Sequence, residues 1–224
     1  RRELLTYFQQ TYDLYESLFE ALAVDEAWFN KAIPLRHPLI FYFGHTAAFF
    51  INKLLAGGWI NQRLDARIEA LVAIGVDEMS WDDLDESHYP WPTVAELRQY
   101  RARVRERVSD FIQTMPLSLP IDWHSPAWVI LMGIEHERIH LETSSVLIRQ
   151  LPLENVTPNP FWKVCPLDTP VVENQLLHVK GSTLRLEKKK DDALYGWDNE
   201  YGLHVKEVKD FKASKYLVSN AEFL

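Results

Sequence analysis

Apolar residues recur at steps of three and four through the N-terminal two thirds of the chain, which is the spacing of amphipathic helices. One such stripe runs through Leu4–Leu22, and Leu39–Leu55 is apolar on nearly every face. A Thr93–Glu96 capping box opens a third helix, and Ser125-Pro126 opens a fourth helix that reaches about Gln150. Four long helices with a long connection between the second and the third predict a four-helix bundle.

The third predicted helix combines apolar positions, from Val94 to Phe111, with a series of arginines. The apolar positions fall on one face and are expected to point into the bundle. We expect the arginines to lie mostly on the outer, solvated face. They are Arg98, Arg101, Arg103, Arg105 and Arg107.

The pattern changes after Leu151. Several prolines mark a linker, and beyond it lie three runs of β-forming residues, Leu176–Val179, Thr183–Leu186 and Leu203–Val208. We therefore predict an α+β protein, with a helical domain over residues 1–155 and the start of a second domain over residues 156–224. Because the sequence begins without methionine and stops within this second pattern, we expect it to be part of a longer protein.

Composition and charge exclude several classes of function. Of 224 residues, 47% are hydrophobic, and 24 basic against 32 acidic residues give a net charge of −8, which disfavours binding to nucleic acid or an anionic membrane. No apolar run approaches the roughly 18 residues expected of a membrane span, and no segment resembles a signal peptide. The single cysteine, Cys165, excludes an internal disulfide and is typical of a reducing compartment, so we expect a cytoplasmic protein.

The strongest candidate for chemistry lies in the fourth predicted helix. His136 and His140 are four residues apart, so both imidazoles leave the same helix face, about 5–6 Å apart at Cβ. This spacing is typical of two ligands to one metal ion. Burying two histidines side by side on an otherwise apolar helix is costly unless a partner satisfies them, which favours a metal site over a polar patch.

A third ligand is needed, and two residues compete for the position. Two histidines and one carboxylate often hold iron, which makes Glu142 a candidate. However, at about 100° per residue Glu142 lies roughly 200° from His140 and points away from an ion held by both histidines. His45 lies in the middle of the apolar second helix, which a bundle brings close to the fourth. We therefore predict His45, His136 and His140 as ligands, with Glu142 and Thr143 supporting them from outside.

Other reactive residues are weaker candidates. His37, His88 and His124 lie in predicted turns or loops, where we expect them to be solvated, and Cys165 has no histidine nearby in sequence. The acidic segment Val76–Glu86 is expected to be a solvated loop, with a contact to the ammonium group of an amino-acid substrate as the alternative.

Three blocks of the sequence together resemble the 5-histidylcysteine sulfoxide synthases of ovothiol biosynthesis, which are related to the ergothioneine sulfoxide synthases. The blocks are Pro34–Thr46, Gly75–Leu84 and Gly133–Ser145. The resemblance extends over nearly the whole chain and is far more specific than the histidine spacing alone.

The resemblance implies a DinB-like four-helix bundle followed by a domain like the formylglycine-generating enzyme, which has a C-type-lectin-like fold. Tyr195–Glu200 and Val218–Phe223 resemble the opening motifs of that second domain. Members of the family often carry a methyltransferase domain further on. The family's active-site tyrosine belongs to a part of the second domain that follows Leu224, so the sequence identifies no catalytic residue.

The resemblance also implies an Fe(2+) enzyme. The family's HxxxHxE motif falls on His136, His140 and Glu142, and its upstream histidine ligand falls on His45, in agreement with the helix geometry. The implied reaction couples L-cysteine to carbon 5 of L-histidine with O₂ and yields a sulfoxide. Three neutral imidazoles would leave positions on the ion for both amino acids and O₂, and holding the reactants on one metal supplies proximity.

Two other functions are alternative hypotheses. A DinB-like thiol transferase would use a similar histidine triad with zinc or nickel, although it needs no lectin-like second domain. A non-enzymatic binding module would bury the histidines for structure alone. The preferred metal distinguishes the first alternative, and the effect of metal removal on stability distinguishes the second.

Overall fold

The computed structural model describes residues 1–74, 89–160, 162 and 172–224. The chain divides into two compact units, Arg1–Trp162 and Lys163–Leu224. The predicted division between residues 155 and 156 falls near the end of the first unit. The acidic segment Val76–Glu86, His88 and Cys165 lie outside the described residues.

Helices build the first unit. Its described residues form helices α1 (Arg2–Phe19), α2 (Glu26–Phe29), α3 (Leu39–Ala56), α4 (Ala66–Leu71), α5 (Val94–Thr114) and α6 (Pro126–Ile148). The four long helices, α1, α3, α5 and α6, are those that the hydrophobic pattern predicts. Both α1 and α3 pack against α5 and α6, so the four long helices close into a bundle. A short 3₁₀ helix, Leu153–Asn155, follows.

Local hydrogen bonds determine where these helices begin and end. The Thr93 hydroxyl accepts from the Glu96 amide at 3.2 Å and the Glu96 carboxylate accepts from the Thr93 amide at 2.8 Å, which completes the predicted capping box of α5. The Ser125 hydroxyl caps α6 by accepting from the Ala127 amide. Gly58, with φ of +70°, turns the chain away after α3, a conformation that glycine adopts without strain.

Helix α3 is the core helix of the bundle. It is long and apolar enough to meet a membrane-span criterion by length and composition, so the expectation that no segment does so is wrong for Leu39–Ala56. Within the bundle, 72% of these residues are buried. The apolar surface of α3 is therefore covered by the other helices of the first unit.

A buried ion pair crosses the centre of the bundle. Arg101 of α5 and Glu137 of α6 have side chains with 0% exposure, and Nη2 of Arg101 donates to Oε1 of Glu137 at 2.8 Å. Its Nη1 donates to the Phe43 carbonyl at 2.8 Å and to the Thr46 hydroxyl at 2.9 Å, both on α3. Its Nε donates to the Glu16 carboxylate of α1 at 2.9 Å. One guanidinium therefore connects all four long helices.

The expectation that the arginines of α5 face mostly outward is wrong for Arg101. The rings of Tyr12 and Phe43 lie 4.1 and 4.6 Å from its guanidinium carbon, so the delocalised cation is sandwiched between aromatic faces. Carboxylates, a hydroxyl and a carbonyl accept its hydrogen bonds. Burial of the charge is therefore compensated, which a lysine at this position would not achieve with one ammonium group.

Residues 172–224 of the second unit form four short strands in two separate pairs. Strand β1 (Leu176–Val179) pairs antiparallel with β4 (Phe211–Ser214), and β2 (Ser182–Lys188) pairs antiparallel with β3 (Gly202–Val208). A one-turn helix, α7 (Asn220–Phe223), lies near the C-terminus.

The strands of the second unit confirm the predicted change from helix to strand, and with it the α+β architecture. The first three coincide with the predicted β-forming runs, whereas β4 was not expected. Most strand residues are exposed, apolar Leu184 and Leu203 among them. No finding bears on the predicted formylglycine-generating-enzyme-like fold, which stays a prediction.

We expect Arg101→Met to lower the free energy of unfolding by about 3–5 kcal/mol, because it leaves the Glu137 carboxylate buried without its cation. The double variant Arg101→Met/Glu137→Leu should lose less stability, because neither charge is then buried. Chemical denaturation followed by circular dichroism measures both. Arg107→Met, on the exposed face of α5, is the control and should stay within about 0.5 kcal/mol of the wild type. A double variant no more stable than Arg101→Met would contradict this explanation.

Candidate metal centre

Three histidine side chains from two packed helices meet inside the first unit. His45 lies in the middle of α3, and His136 and His140 lie one turn apart on α6. The Nε2 atom of His136 is 3.2 Å from Nε2 of His45 and 3.2 Å from Nε2 of His140. One ring nitrogen of each histidine lies within 4.8 Å of those of the other two. The structure therefore brings together the three predicted ligands.

The ring of His45 is held in one orientation by the backbone. Its Nδ1 lies 2.8 Å from the carbonyl oxygen of Val72, at the end of α4. A carbonyl oxygen only accepts, so Nδ1 carries a hydrogen, and in the neutral imidazole Nε2 then presents a lone pair to the other two histidines. This is the arrangement that orients histidine ligands in many metal sites.

Aromatic rings fix the three imidazoles from the sides. Phe49 stacks on His136 with ring centroids 3.8 Å apart, and Phe41 stacks on His45 at 5.2 Å. The Tyr42 ring lies 5.8 Å from that of His140. These contacts remove water from the rings and limit their rotation.

The surroundings keep the histidines of α6 uncharged. Burial lowers the pKa of His140 to about 3, with His45 and Arg36 adding to the shift. Burial also lowers the pKa of His136 strongly, with further contributions from His140 and His45. Both imidazoles are therefore neutral at neutral pH, the form that binds a metal ion.

This donor set suits one metal ion better than it suits hydrogen bonding within the cluster. Nitrogens bound to the same ion at about 2.1 Å lie about 3.0–3.4 Å apart, which includes the separations observed for His136. Since Nε2 of His45 has no hydrogen to give, one hydrogen on Nε2 of His136 cannot serve both neighbours fully. A cation would accept all three lone pairs. The Nδ1 atoms of His136 and His140 are also buried without a hydrogen-bond partner among the described residues.

Gly133 sets the separation of α3 and α6 just before the histidine pair. A Cβ atom on Gly133 would clash with Cε1 of Phe50, a fully buried residue of α3. Any larger residue would displace that ring or push the helices apart. Close packing at Gly133 therefore brings His45 within reach of His136.

The buried ion pair lies directly behind the histidines. Glu137 follows His136 on α6, and Thr46 follows His45 on α3; the Thr46 hydroxyl donates to Oε1 of Glu137 at 3.2 Å. Sequence reasoning missed Glu137, Thr46 and Arg101. The available signal was the presence of a charged residue, Glu137, on a helix that is otherwise mostly apolar.

The two predicted supporting residues lie at the edge of the centre. Glu142 is exposed, and its carboxylate has no hydrogen bond to a histidine among the described residues. It lines a cavity that His140 also lines. Thr143 donates to the backbone carbonyl of His140 at 3.3 Å rather than to its ring. A role for Glu142 in orienting a ligand stays a prediction.

Two further histidines of the first unit, His37 and His124, are not members of the cluster. His124 is exposed, as expected. The expectation that His37 is solvated is wrong, because its ring is 7% exposed and stacks on Phe41 with centroids 4.1 Å apart. The aromatic surroundings of the Pro38 turn explain this burial, with Trp91 packed against the edge of the ring.

We expect the chain to bind one divalent transition-metal ion through the three histidines. His45→Ala, His136→Ala and His140→Ala should each weaken binding by more than the roughly 10–100-fold typical of losing an outer contact. Metal analysis after dialysis and isothermal titration measure this, with exposed His124→Ala as the control. Because the ion would connect α3 and α6, chelation should also lower the melting temperature of the wild type and leave that of His136→Ala unchanged. Equal metal binding by wild type and His136→Ala would contradict the site.

Comparison with known proteins agrees with the fold of the first unit. Residues 7–144, more than half of the chain, match the DinB superfamily. The chain is 25% identical to ergothioneine biosynthesis protein 1 of Schizosaccharomyces pombe, over 86% of this chain and 28% of that protein. It is 26% identical to ergothioneine biosynthesis protein 1 of Neurospora crassa, over 88% of this chain and 24% of that protein. The chain thus spans about a quarter of the length of these curated relatives, and by its matched residues it belongs to the DinB superfamily.

Proposed function

We propose that the chain is the metal-binding part of a non-haem iron(II) sulfoxide synthase. The observation that carries this proposal is the convergence of His45, His136 and His140, with Nε2 atoms 3.2 Å apart in two of the three pairs. Likeness to two proteins named ergothioneine biosynthesis protein 1 supports the same class of chemistry. The identity of the metal as iron is itself part of the proposal.

Within this class, the proposed reaction couples L-cysteine to carbon 5 of L-histidine, as in ovothiol biosynthesis. A C–S bond replaces the C–H bond of the ring and the S–H bond of cysteine; one oxygen atom of O₂ enters the sulfoxide and the other leaves as water. The sequence of the block Val76–Leu84 favours histidine as the acceptor, through its resemblance to the ovothiol enzymes. The relatives are named for ergothioneine biosynthesis, which makes trimethylated histidine the competing substrate. We place the reaction in the cytoplasm.

The chain's own residues prepare the centre for this chemistry. Fe(2+) held by the three imidazoles would supply redox chemistry with O₂ that zinc lacks. The Val72 carbonyl fixes the tautomer of His45, so its Nε2 faces the ion. Phe41 and Phe49 exclude water from the rings, which keeps the ligands neutral and in place.

A DinB-type thiol transferase is the second candidate, and the superfamily match favours it as well as the synthase. It would use the same histidines with zinc or nickel to activate a low-molecular-weight thiol and would need no O₂. The two candidates therefore differ in their metal and in their dependence on oxygen.

The test uses the full-length protein with Fe(2+), O₂, L-cysteine and either L-histidine or its trimethylated form, and identifies products by mass spectrometry. We expect a product with the mass of both amino acids joined as a sulfoxide. It should depend on Fe(2+) and disappear in His140→Ala, whereas His124→Ala should retain it.

Two outcomes would contradict parts of the proposal. Product from trimethylated histidine alone would assign the protein to the ergothioneine branch. No coupled product from either histidine, together with zinc-dependent transfer of a small thiol, would replace the synthase with a transferase.

A further inference from the structure

A cavity of about 290 Å³ opens beside the histidine cluster in the first unit. His140 and Tyr42 line one side of it, so the cavity reaches a predicted metal ligand directly. Its size lies just below the range of about 300–1,000 Å³ that small-molecule sites occupy. Val146 and Leu147 supply an apolar wall.

The cavity also carries two opposite charges. Arg36, in the turn before α3, and Glu142, on α6, both line it, and both residues are exposed to solvent. Neither side chain forms an ion pair or hydrogen bond with another described residue, although most of the buried charges nearby are paired. Each charge is therefore available to a ligand, and the cavity holds them in one space.

This combination selects a particular class of ligand. A simple anion would meet the carboxylate of Glu142, and a simple cation would meet the guanidinium of Arg36, so both are disfavoured. A zwitterion satisfies both charges. An arginine fork binds carboxylate geometry well, and a carboxylate accepts hydrogen bonds from an ammonium group.

We propose that Arg36 and Glu142 bind the head of an α-amino acid, Arg36 through its carboxylate and Glu142 through its ammonium group. The amino-acid side chain would then meet the other residues that line the cavity, among them Val146, Leu147 and His140. The identity of the ligand as one of the two amino-acid substrates rests on the proposed function. The charge pair and the cavity are features of the structure and do not rest on the proposed function.

The test measures binding of ligands to the zinc-loaded chain, without oxygen, by isothermal titration. The ligands are L-histidine and L-cysteine, and for each the analogue without a carboxylate and the analogue without an ammonium group: histamine and imidazolepropionate, cysteamine and 3-mercaptopropionate. The variants are Arg36→Gln and Glu142→Gln. Matched controls are Arg107→Gln and Glu106→Gln on the exposed face of α5.

We expect at least one of the two amino acids to bind, and which one binds identifies the substrate held here. Arg36→Gln should weaken its binding about ten-fold or more and leave binding of its carboxylate-free analogue unchanged. Glu142→Gln should likewise weaken binding of the amino acid about ten-fold or more and leave binding of its ammonium-free analogue unchanged. The control variants should bind like the wild type.

Three results would overturn the inference. The first is that the wild type binds neither amino acid. The second is that a substitution weakens binding of the amino acid and of its analogue equally. The third is that Glu142→Gln weakens zinc binding, which would assign Glu142 to the metal ligands instead. The choice of these two amino acids rests on the proposed function, but failure of the inference and failure of the proposed reaction give different results. Amino-acid binding through Arg36 and Glu142 without any coupled product would support the inference and contradict the synthase. A coupled product whose formation is unaffected by both substitutions would support the synthase and contradict the inference.

Discussion

The buried ion pair between Arg101 and Glu137 is the interaction on which the arrangement of the metal centre depends. Glu137 directly follows one ligand on α6, and Thr46, which bonds the same carboxylate, directly follows another on α3. Arg101 holds both residues from α5. A shift of α3 along α6 would therefore break these bonds as it separated the imidazoles. Buried polar groups fix helix register in other systems, and here the register is that of the ligands.

Two kinds of polar group share the interior of the bundle, and they are stabilised differently. The charges of Arg101 and Glu137 neutralise each other within the protein, although complete burial still raises the pKa of the Glu137 carboxyl against the opposing effect of Arg101. The imidazoles of His136 and His140 avoid charge altogether, because burial lowers their pKa values. Their lone pairs then converge without enough hydrogens to satisfy them. A bound cation would resolve this, which favours a metal site over a purely structural cluster.

The parts of this arrangement that sequence predicts are the local ones. The spacing of His136 and His140 places both on one helix face whatever the rest of the fold does. His45 was predictable because a polar residue in the middle of an apolar helix needs a partner within the bundle. The burial of Arg101 was not predictable, because its partners Glu137 and Glu16 lie 36 and 85 residues away in the sequence. In addition, a series of arginines normally marks a solvated face.

The missed strand has a similar cause. Phe211–Ser214 is four residues long and pairs with Leu176–Val179, far earlier in the chain, so tertiary pairing rather than local preference makes it a strand. The cavity beside His140 was equally beyond prediction, because it brings a turn residue, Arg36, next to a helix residue, Glu142. Long-range contacts of this kind leave no periodic pattern in the sequence.

X-ray absorption spectroscopy of the iron-loaded protein tests the central claim most directly, because its fine structure reports how many imidazoles bind the iron. A centre built from His45, His136 and His140 predicts three imidazoles per iron in the wild type and two in His45→Ala. Two imidazoles and one protein carboxylate in the wild type, with the carboxylate lost in Glu142→Gln, would contradict it.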